Sequence, residues 1–393
     1  MTIIIFGDSF TFPEGNAATN HAYTYAKGFI ERGVCVHVIC FKSIYTNKFN
    51  GISEGIKYYI PFAQTERSRF FIVRRWHGVM KYFRAYNIIR EIRRTDKILA
   101  INLWSYVFIN QLYAFILAKL VNTKLILERS EHPLRYYNPN NTLKQFCGNS
   151  KIKLEIKLYD GIFCISNYLI QYYKSKRFPA DKLFLVPSTV DTGRFNVITQ
   201  SLFPFRCILY CGTLNIKKDG VDILIKSFNI ISVKYPEMRL VLIGKGESFN
   251  NEEPDLRKLV HKLALEDKVI FMGQVSRTLV PEYLGSAEIL ALSRPTSIIA
   301  DAGFPSKLTE YLAAGKPVVV TRVGEVPLYL EDNVNAFLTQ PDSVDAFAKK
   351  LDYVLSNQQL AIQVSQRGKN LTKTVFNYSY QAGRMLEFIH SLW

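Results

Sequence analysis

Short runs of apolar and β-branched residues alternate along the chain with longer segments of helical periodicity. This alternation is typical of βαβ units, in which helices join parallel strands. In the first half the predicted strands are 2–6, 34–40, 98–103, 124–128, 161–165 and 183–186, and in the second they are 207–210, 239–243, 268–272, 289–292 and 317–321.

The strand pattern begins twice, once at Ile3–Gly7 and again at Cys207–Gly212. The intervening segment, residues 190–205, is polar and irregular, so we interpret it as the connection between two doubly wound α/β domains. Ligands bind such domains outside the carboxyl ends of the strands, which predicts two domains facing across a cleft. We expect domains at 1–195 and 196–375. A C-terminal helix at 376–393 packs on its own domain or returns to the first.

The first half of the chain predicts neither a membrane span nor a signal peptide. Residues 98–121 are apolar but carry Asn102, Gln111 and Lys119, so a strand and a core helix at about 107–121 explain them better than a membrane span. The N-terminus lacks the basic and long apolar regions of a signal peptide. The six cysteines form no Cys-x-x-Cys pair, which indicates free thiols in a reducing compartment. Because the six histidines also lack ligand spacing, no metal site is expected.

The net charge of +17 is unevenly distributed. Residues 1–200 hold 28 Lys and Arg against 13 Asp and Glu, whereas residues 201–393 hold 22 against 20. The two halves therefore face different partners, and a uniformly basic nucleic-acid coat is disfavoured.

Much of the excess lies in residues 66–97, where ten Lys and Arg alternate with aromatic residues on a predicted helix. This composition suits an anionic membrane surface, and also RNA, while a core helix with a charged outer face is the plainer interpretation. We expect the membrane. The residues expected to contact the membrane or the acceptor are Arg74, Arg75, Arg84 and Arg90.

Residues 294–317 combine a strand end, a glycine-containing loop and a helix with Pro in its first turn and Gly at its end. Such a helix start predicts an anion site, with Ser306 and Lys307 in the first turn and Glu310 one turn further. The alternative is that Lys307 and Glu310 form only an i,i+3 surface pair.

Two further segments are candidate anion sites. Residues 212–220 again follow a strand and place Lys217 and Lys218 together, although a solvated turn is the alternative. Gly15 and Asn16 follow the first strand and would let a ligand approach the backbone. The G-x-G-x-x-G fingerprint is absent after Ile5, which disfavours a dehydrogenase.

Taken together, these segments resemble the GT-B glycosyltransferases, in the large retaining family (glycosyl transferases group 1) that includes bacterial capsule, exopolysaccharide and lipopolysaccharide sugar transferases. The resemblance spans essentially the whole chain, and the segments that carry it are 182–195, 212–228, 241–246, 269–273 and 307–319. It implies two Rossmann-like domains, with a nucleotide-sugar donor on the second and the acceptor on the first.

The resemblance also implies roles for single residues, and the chain departs from the family at several of them. Glu310 matches the acid that holds the ribose hydroxyls, whereas its usual partner eight positions earlier falls on Ala302, with Asp301 one residue away. The family's phosphate lysine falls on Asp219, so Lys218 is the candidate and Lys217 the fallback. Catalytic roles are expected for His132, Lys218 and Glu310. The expected donor-binding residues are Gly15, Asn16, Gly212, Thr213 (where many members have Arg), Lys217, Lys218, Gly273, Phe304, Pro305, Ser306, Lys307 and Glu310.

The activity implied is transfer of a sugar from a UDP- or GDP-sugar, with retention, to a saccharide or lipid-linked acceptor in bacterial surface polysaccharide synthesis. No tightly bound cofactor and no nucleic acid are expected. The enzyme would be cytoplasmic and peripheral on the inner membrane face. The alternatives are a GT-B sugar-nucleotide epimerase and a non-catalytic partner protein that binds nucleotide sugars.

Overall fold

Two parallel β-sheets organise the protein, as a computed structural model shows. The structure describes residues 1–15, 17–133, 152–195, 201–246 and 252–393. The chain divides into two structural units, the first domain (Met1–Thr189 with Tyr378–Trp393) and the second domain (Val190–Asn377).

The described part of the first domain contains eight strands in the order β3-β4-β2-β1-β5-β6-β7-β8, all parallel except for the β3–β4 pair. The strands are β1 (Thr2–Gly7), β2 (Cys35–Cys40), β3 (Asn50–Ser53), β4 (Ile56–Tyr59), β5 (Ile98–Trp104), β6 (Lys124–Arg129), β7 (Gly161–Cys164) and β8 (Leu183–Leu185). The helices are α1 (Ala17–Glu31), α2 (Phe71–Thr95), α3 (Phe108–Leu120), α4 (Asn167–Ser175) and, at the C-terminus, α14 (Tyr378–Ser391).

Helix α14 packs against α1 through a glycine. A Cβ added at Gly28 would lie 2.6 Å from Ala382 Cβ and 2.8 Å from the Tyr378 carbonyl oxygen, so only glycine permits this approach. Ala382 and Phe388 are buried in the same core as β1 and β2. The last helix is therefore a structural part of the first domain.

Among its described residues, the second domain contains six strands, all parallel, in the order β11-β10-β9-β12-β13-β14. The strands are β9 (Cys207–Cys211), β10 (Arg239–Ile243), β11 (Val269–Gly273), β12 (Ile289–Leu292), β13 (Val318–Thr321) and β14 (Phe337–Thr339). The helices are α5 (Ile216–Asp219), α6 (Val221–Lys234), α7 (Glu253–Lys262), α8 (Val280–Ser286), α9 (Ile298–Ala302), α10 (Ser306–Ala314), α11 (Val326–Tyr329), α12 (Val344–Ser356) and α13 (Gln358–Leu371).

The two doubly wound α/β domains predicted from the sequence are confirmed, and so are the positions of the eleven predicted strands to within one or two residues. Those strands read as continuous apolar runs because helices cover both faces of a parallel sheet. The apolar segment at residues 98–121 is β5 followed by α3, as predicted. Among the described helices, none is long and apolar enough to cross a membrane.

Candidate functional site

The strand order of the second sheet creates a switch point between β9 and β12. The chain runs from β9 outward through β10 to β11 and then returns to β12 on the other side of β9. Loops that leave neighbouring strands in opposite directions open a crevice at the carboxyl end of the sheet. The loop after β9 (residues 212–215) and the loop after β12 (residues 293–297) both begin at this point.

Glycines let the backbones of these loops touch. Gly220 has φ +66°, and a Cβ there would lie 2.1 Å from the Ser293 carbonyl oxygen. Gly244 has φ +134°, and a Cβ there would lie 1.8 Å from the Gly212 carbonyl oxygen. The predicted donor residue Gly273 has φ +70°, and its carbonyl accepts a 2.8 Å hydrogen bond from the Gly244 N–H. The floor of the crevice is therefore backbone packed on backbone.

Helix α10 brings a lysine to this crevice. It begins at Ser306 after Pro305 and ends at Gly315, which has φ +69°. In its first turn Lys307 extends towards the loop after β9, where its Nζ lies 2.6 Å from Asp219 Oδ2. A Cβ added at Gly212 would lie 2.4 Å from Lys307 Cε and 2.8 Å from its Nζ. The lysine thus lies directly over the glycine of the candidate phosphate loop.

The Lys307–Asp219 pair is held in a cluster of buried polar groups. The Tyr210 hydroxyl lies 2.9 Å from Asp219 Oδ2 and 2.6 Å from the Thr213 carbonyl oxygen. Burial raises the pKa of Asp219, but Lys307, Arg294 and Lys218 outweigh it and hold that pKa below the usual range. Asp219 is therefore a carboxylate at neutral pH.

Glu310 follows one turn later on α10 and has its own partner. Its Oε1 accepts a 2.9 Å hydrogen bond from Arg194 Nη1. Arg194 Nη2 in turn donates to the Arg277 carbonyl oxygen at 2.7 Å. Lys307 and Glu310 therefore form ion pairs with residues far away in sequence, and the alternative of a mere i,i+3 surface pair is wrong.

The two lysines proposed for the phosphate loop lie at the start of the short helix α5. Lys217 is exposed and Lys218 is half-buried. The Lys218 N–H donates to the Asn215 side chain at 2.7 Å, which caps this helix. Asp219 occupies the position at which the resemblance places the family's phosphate lysine. Its carboxylate binds the ammonium of Lys307.

The other expected donor residues on the second domain are divided between loop and core. Gly212 and Thr213 are half-buried in the loop after β9, and Ser306 is half-buried at the start of α10. The ring of Phe304 is buried against Tyr329 and Phe376, with centroids 5.4 Å away in both cases. Pro305 is buried beside it. The ring of Phe304 is therefore part of the core of the second domain, and a role for this residue in donor binding stays a prediction.

Ala302 stands where the family has its first acid, and it contributes only a buried methyl group. Ala302 lies at the end of α9 and is fully buried, while the neighbouring Asp301 is half-buried.

Among the residues that the structure describes, no three His, Cys, Asp or Glu side chains are grouped closely enough to hold a metal ion.

His132 belongs to the first domain, in the loop after β6. It is buried edge-on against the rings of Tyr172 and Tyr168, at centroid distances of 4.8 and 5.9 Å. Burial, and secondly the charge of Lys176, lower its pKa to about 4. His132 is therefore neutral at physiological pH.

The expected residues after β1 are only partly described. Gly15 lies just before α1, where a Cβ would meet Thr19 Oγ1 at 2.0 Å and Thr11 Oγ1 at 2.3 Å. Close packing of the loop thus requires glycine at this position. Asn16 lies outside the described residues.

The basic helix α2 presents two different faces. Its buried face consists of Lys81, Ala85, Ile89 and Ile92. On the opposite side, an exposed apolar stripe recurs every three or four residues, and we call it the aromatic stripe: Ile72, Trp76, Val79, Phe83 and Tyr86. Trp76 is 60% exposed and Phe83 59%. These large apolar residues recur at helical spacing and are exposed, so the stripe is not a core face.

The four arginines chosen on this helix are not equivalent. Arg75 and Arg90 are exposed. Arg74 donates to the Arg69 carbonyl oxygen at 3.0 Å, and Arg84 donates to the Phe62 carbonyl oxygen at 2.9 Å. Arg75 and Arg90 are therefore available to a partner, whereas Arg74 and Arg84 also stabilise the loop that precedes the helix.

The sequence analysis did not identify the residues that hold Lys307 and Glu310 in place. They are Asp219, which pairs with Lys307, its neighbours Tyr210 and Arg294, and Arg194, which pairs with Glu310. One signal was present, because an acid stands where the family comparison places a lysine. The partners themselves are distant in sequence, and their pairing could not be deduced from spacing.

Comparison with known proteins finds a family match in the second domain. Residues 204–371 match the family model described as glycosyl transferases group 1. A GDP-mannose-dependent alpha-(1-6)-phosphatidylinositol monomannoside mannosyltransferase of Mycobacterium tuberculosis (strain CDC 1551 / Oshkosh) is 23% identical over 241 residues, covering 58% of this chain and 61% of the relative. The chain spans about half the length of the curated relatives that it matches.

Solved structures are similar over the whole chain. Sucrose-phosphate synthase from Thermosynechococcus elongatus has a TM-score of 0.75 at 14% identity and covers 100% of this chain and 99% of its own. The Anabaena HepE protein in complex with UDP has a TM-score of 0.69 at 14% identity and covers 100% of both chains. At this identity the likeness shows the fold, which is GT-B.

Proposed function

Residues 204–371, in the second domain, match the family model of glycosyl transferases group 1, and from this match we propose that the protein is a glycosyltransferase that uses a nucleotide-sugar donor. The observation that carries the proposal is the position of Lys307, whose ammonium lies over Gly212 at the β9/β12 switch point. Glu310 follows one turn later on the same helix, about 4.5 Å along its axis. The cation at the start of the helix and the carboxylate one turn later match the order of the diphosphate and the ribose in a nucleotide sugar.

The chemistry follows from where charge develops. When the anomeric C–O bond breaks, negative charge accumulates on the nucleoside diphosphate that leaves. Lys307 and the N-terminus of α10 lie where they would stabilise that charge in the transition state. Glu310 accepts hydrogen bonds from ribose hydroxyls and fixes the nucleotide. We propose that transfer proceeds with retention, as the family resemblance implies.

For the donor we propose a UDP- or GDP-sugar. The solved HepE structure holds UDP, and the mycobacterial relative is named for GDP-mannose. With Ala302 buried in place of the first acid, recognition of the sugar itself depends on other residues. His132 of the first domain stays a candidate for this role, as a neutral hydrogen-bonding group.

A panel of nucleoside diphosphates and nucleotide sugars tests the donor site by thermal shift. A ligand at 100 times its Kd stabilises the folded state by about 2.7 kcal/mol. We expect one nucleotide class to raise the melting temperature, and Glu310→Ala to reduce the shift. A flat response to every compound contradicts the proposal.

The same preparation separates the alternative activities. A transferase gives a glycosylated product only when an acceptor is added, whereas an epimerase converts the donor sugar without one. A non-catalytic binding protein gives the thermal shift and neither product.

We also propose that the first domain docks on an anionic membrane and receives a saccharide or lipid-linked acceptor there, on the cytoplasmic face of the inner membrane. The aromatic stripe of α2 supports this, flanked by the exposed Arg75 and Arg90. Neighbouring α3 adds exposed Ile116 and Leu120. Apolar side chains insert at the interface of a bilayer while arginines contact lipid phosphates.

Flotation with vesicles of phosphatidylglycerol and phosphatidylcholine tests the docking surface. Each Arg near an anionic surface contributes about 1 kcal/mol, so reversing Arg75 and Arg90 to Glu weakens binding at least about 30-fold. The matched control reverses the exposed Lys258 and Lys262 of α7 in the second domain. Equal binding of the two variants contradicts the proposal, and oligonucleotide binding with a steep salt dependence would indicate nucleic acid instead.

A further inference from the structure

A buried acid lies below the loop that we assign to the diphosphate. Asp219 is at most 2% exposed, whereas its partner Lys307 is 16% exposed. The carboxylate is therefore out of reach of a ligand in the crevice, whereas the Lys307 side chain is partly exposed. Whatever Asp219 contributes to the site, it contributes through Lys307.

The position of the lysine follows from its contacts. Its Cε and Nζ pass over Gly212, at 2.4 and 2.8 Å from where a Cβ would lie, in the space that the glycine leaves open. Its Nζ is fixed from below at 2.6 Å by Asp219 Oδ2, which the Tyr210 hydroxyl also contacts at 2.9 Å. A flexible four-carbon side chain is thus held at one point of the loop.

Three cations surround the buried acid. The positive charges of Lys307, Arg294 and Lys218 all act on the Asp219 carboxylate, and Lys307 also forms its hydrogen-bonded ion pair.

The pair is also incompletely satisfied, which argues against a purely stabilising role. Asp219 Oδ1 and Arg294 Nε are both buried, and within the described part of the chain neither has a hydrogen-bond partner. Native proteins leave few such groups, because each costs free energy of folding. A buried ion pair is in any case weak evidence for stabilisation.

We propose that Asp219 is a positioning residue, which holds the Lys307 ammonium at the site of the donor's diphosphate so that this lysine serves as the phosphate-binding cation of the loop. The inference rests on the proposed function and deepens it. It reverses the expectation from the sequence, in which Lys218 had this role.

The direction in which Asp219→Asn changes UDP affinity separates a positioning role from a purely electrostatic one. Removing a negative charge near a phosphate strengthens phosphate binding if only Coulomb attraction matters. If Asp219 acts by positioning, Asp219→Asn weakens UDP binding instead. We expect a loss of about 10-fold, and of about 10- to 100-fold for Lys307→Met, from loss of a charge-assisted hydrogen bond.

The experiment is isothermal titration of UDP, GDP and uridine into the full chain. In the Lys307→Met background, Asp219→Asn should have no further effect on UDP, and uridine affinity should not change in any variant. Asp222→Asn, which alters an acid paired with Lys226 on the surface of α6, is the matched control and should bind UDP like the wild type.

The possible outcomes distinguish failure of this inference from failure of the proposed function. Wild-type or tighter UDP binding by Asp219→Asn, or wild-type binding by Lys307→Met, overturns the inference while the proposed function stands. Failure of the wild-type chain to bind UDP and GDP overturns both. If Asp219→Asn does not fold, Asp219→Glu keeps the charge and moves it, so unchanged UDP affinity in that variant overturns the inference too.

Discussion

The buried histidine of the first domain makes its stability depend on pH. His21 is buried, its Nε2 lies 2.8 Å from Ser188 Oγ, and its ring stacks on Tyr25. Burial disfavours the imidazolium and lowers the pKa of His21 from 6.5 to about 4. Between these two values the unfolded chain binds a proton that the native chain does not, so stability falls as pH falls.

The magnitude follows from the two pKa values. From pH 7.5 to pH 5 the unfolded state gains a proton at this site while the native state stays neutral, which lowers the free energy of unfolding by about 2 kcal/mol. His21→Gln cannot take up this proton. The difference in stability between wild type and variant should therefore shrink by about 2 kcal/mol over this range, whatever the variant costs at pH 7.5.

Tryptophan fluorescence during urea unfolding measures this selectively. The three tryptophans, Trp76, Trp104 and Trp393, all belong to the first domain, and Trp104 lies against the His21 ring. His390→Gln changes an exposed histidine of the same domain and serves as control. A difference between wild type and His21→Gln that stays constant from pH 7.5 to pH 5 would refute the reasoning.

Two further predictions concern other parts of the fold. Burial raises the pKa of Glu128 well above its usual range, so the native domain keeps a proton that the unfolded chain begins to lose near pH 4.5. Glu128→Gln should therefore gain stability relative to wild type as the pH rises above 4.5, and a pH-independent difference in the same urea assay would exclude this. Gly220→Ala should destabilise the second domain in calorimetry by clearly more than Gly273→Ala, because both glycines have positive φ but only at Gly220 would the new Cβ meet a backbone oxygen, at 2.1 Å. Equal losses of at most about 1 kcal/mol for both variants would show that the loops after β9 and β12 are not packed as described.

Buried parallel strands were predictable and the edge of the first sheet was not. The predicted strands are continuous apolar runs, which their burial on both faces requires. The hairpin of β3 and β4 was missed because Asn50–Ser53 is short, polar and largely exposed at the edge. Its turn has two residues with positive φ, Glu54 and Gly55, and of these only the glycine is a recognisable signal.

The candidate site was predictable in its segments and not in its contacts. Spacing and strand order indicated the loop after β9 and the start of α10. Asp219 and Lys307 are 88 residues apart and Arg194 and Glu310 are 116 apart, so only the fold brings each pair together. The sequence therefore suggested Lys218 for a role that the structure leads us to propose for Lys307.

Titration of UDP and GDP into the wild-type chain, Glu310→Ala and Glu237→Ala tests the central claim most directly. Glu237 lies just before β10, at the opposite end of the sheet from the switch point. We predict one site per chain, with affinity reduced at least about 10-fold by Glu310→Ala and unchanged by Glu237→Ala. Binding of neither nucleotide, or equal binding by all three proteins, would contradict the assignment of the donor site to the second domain.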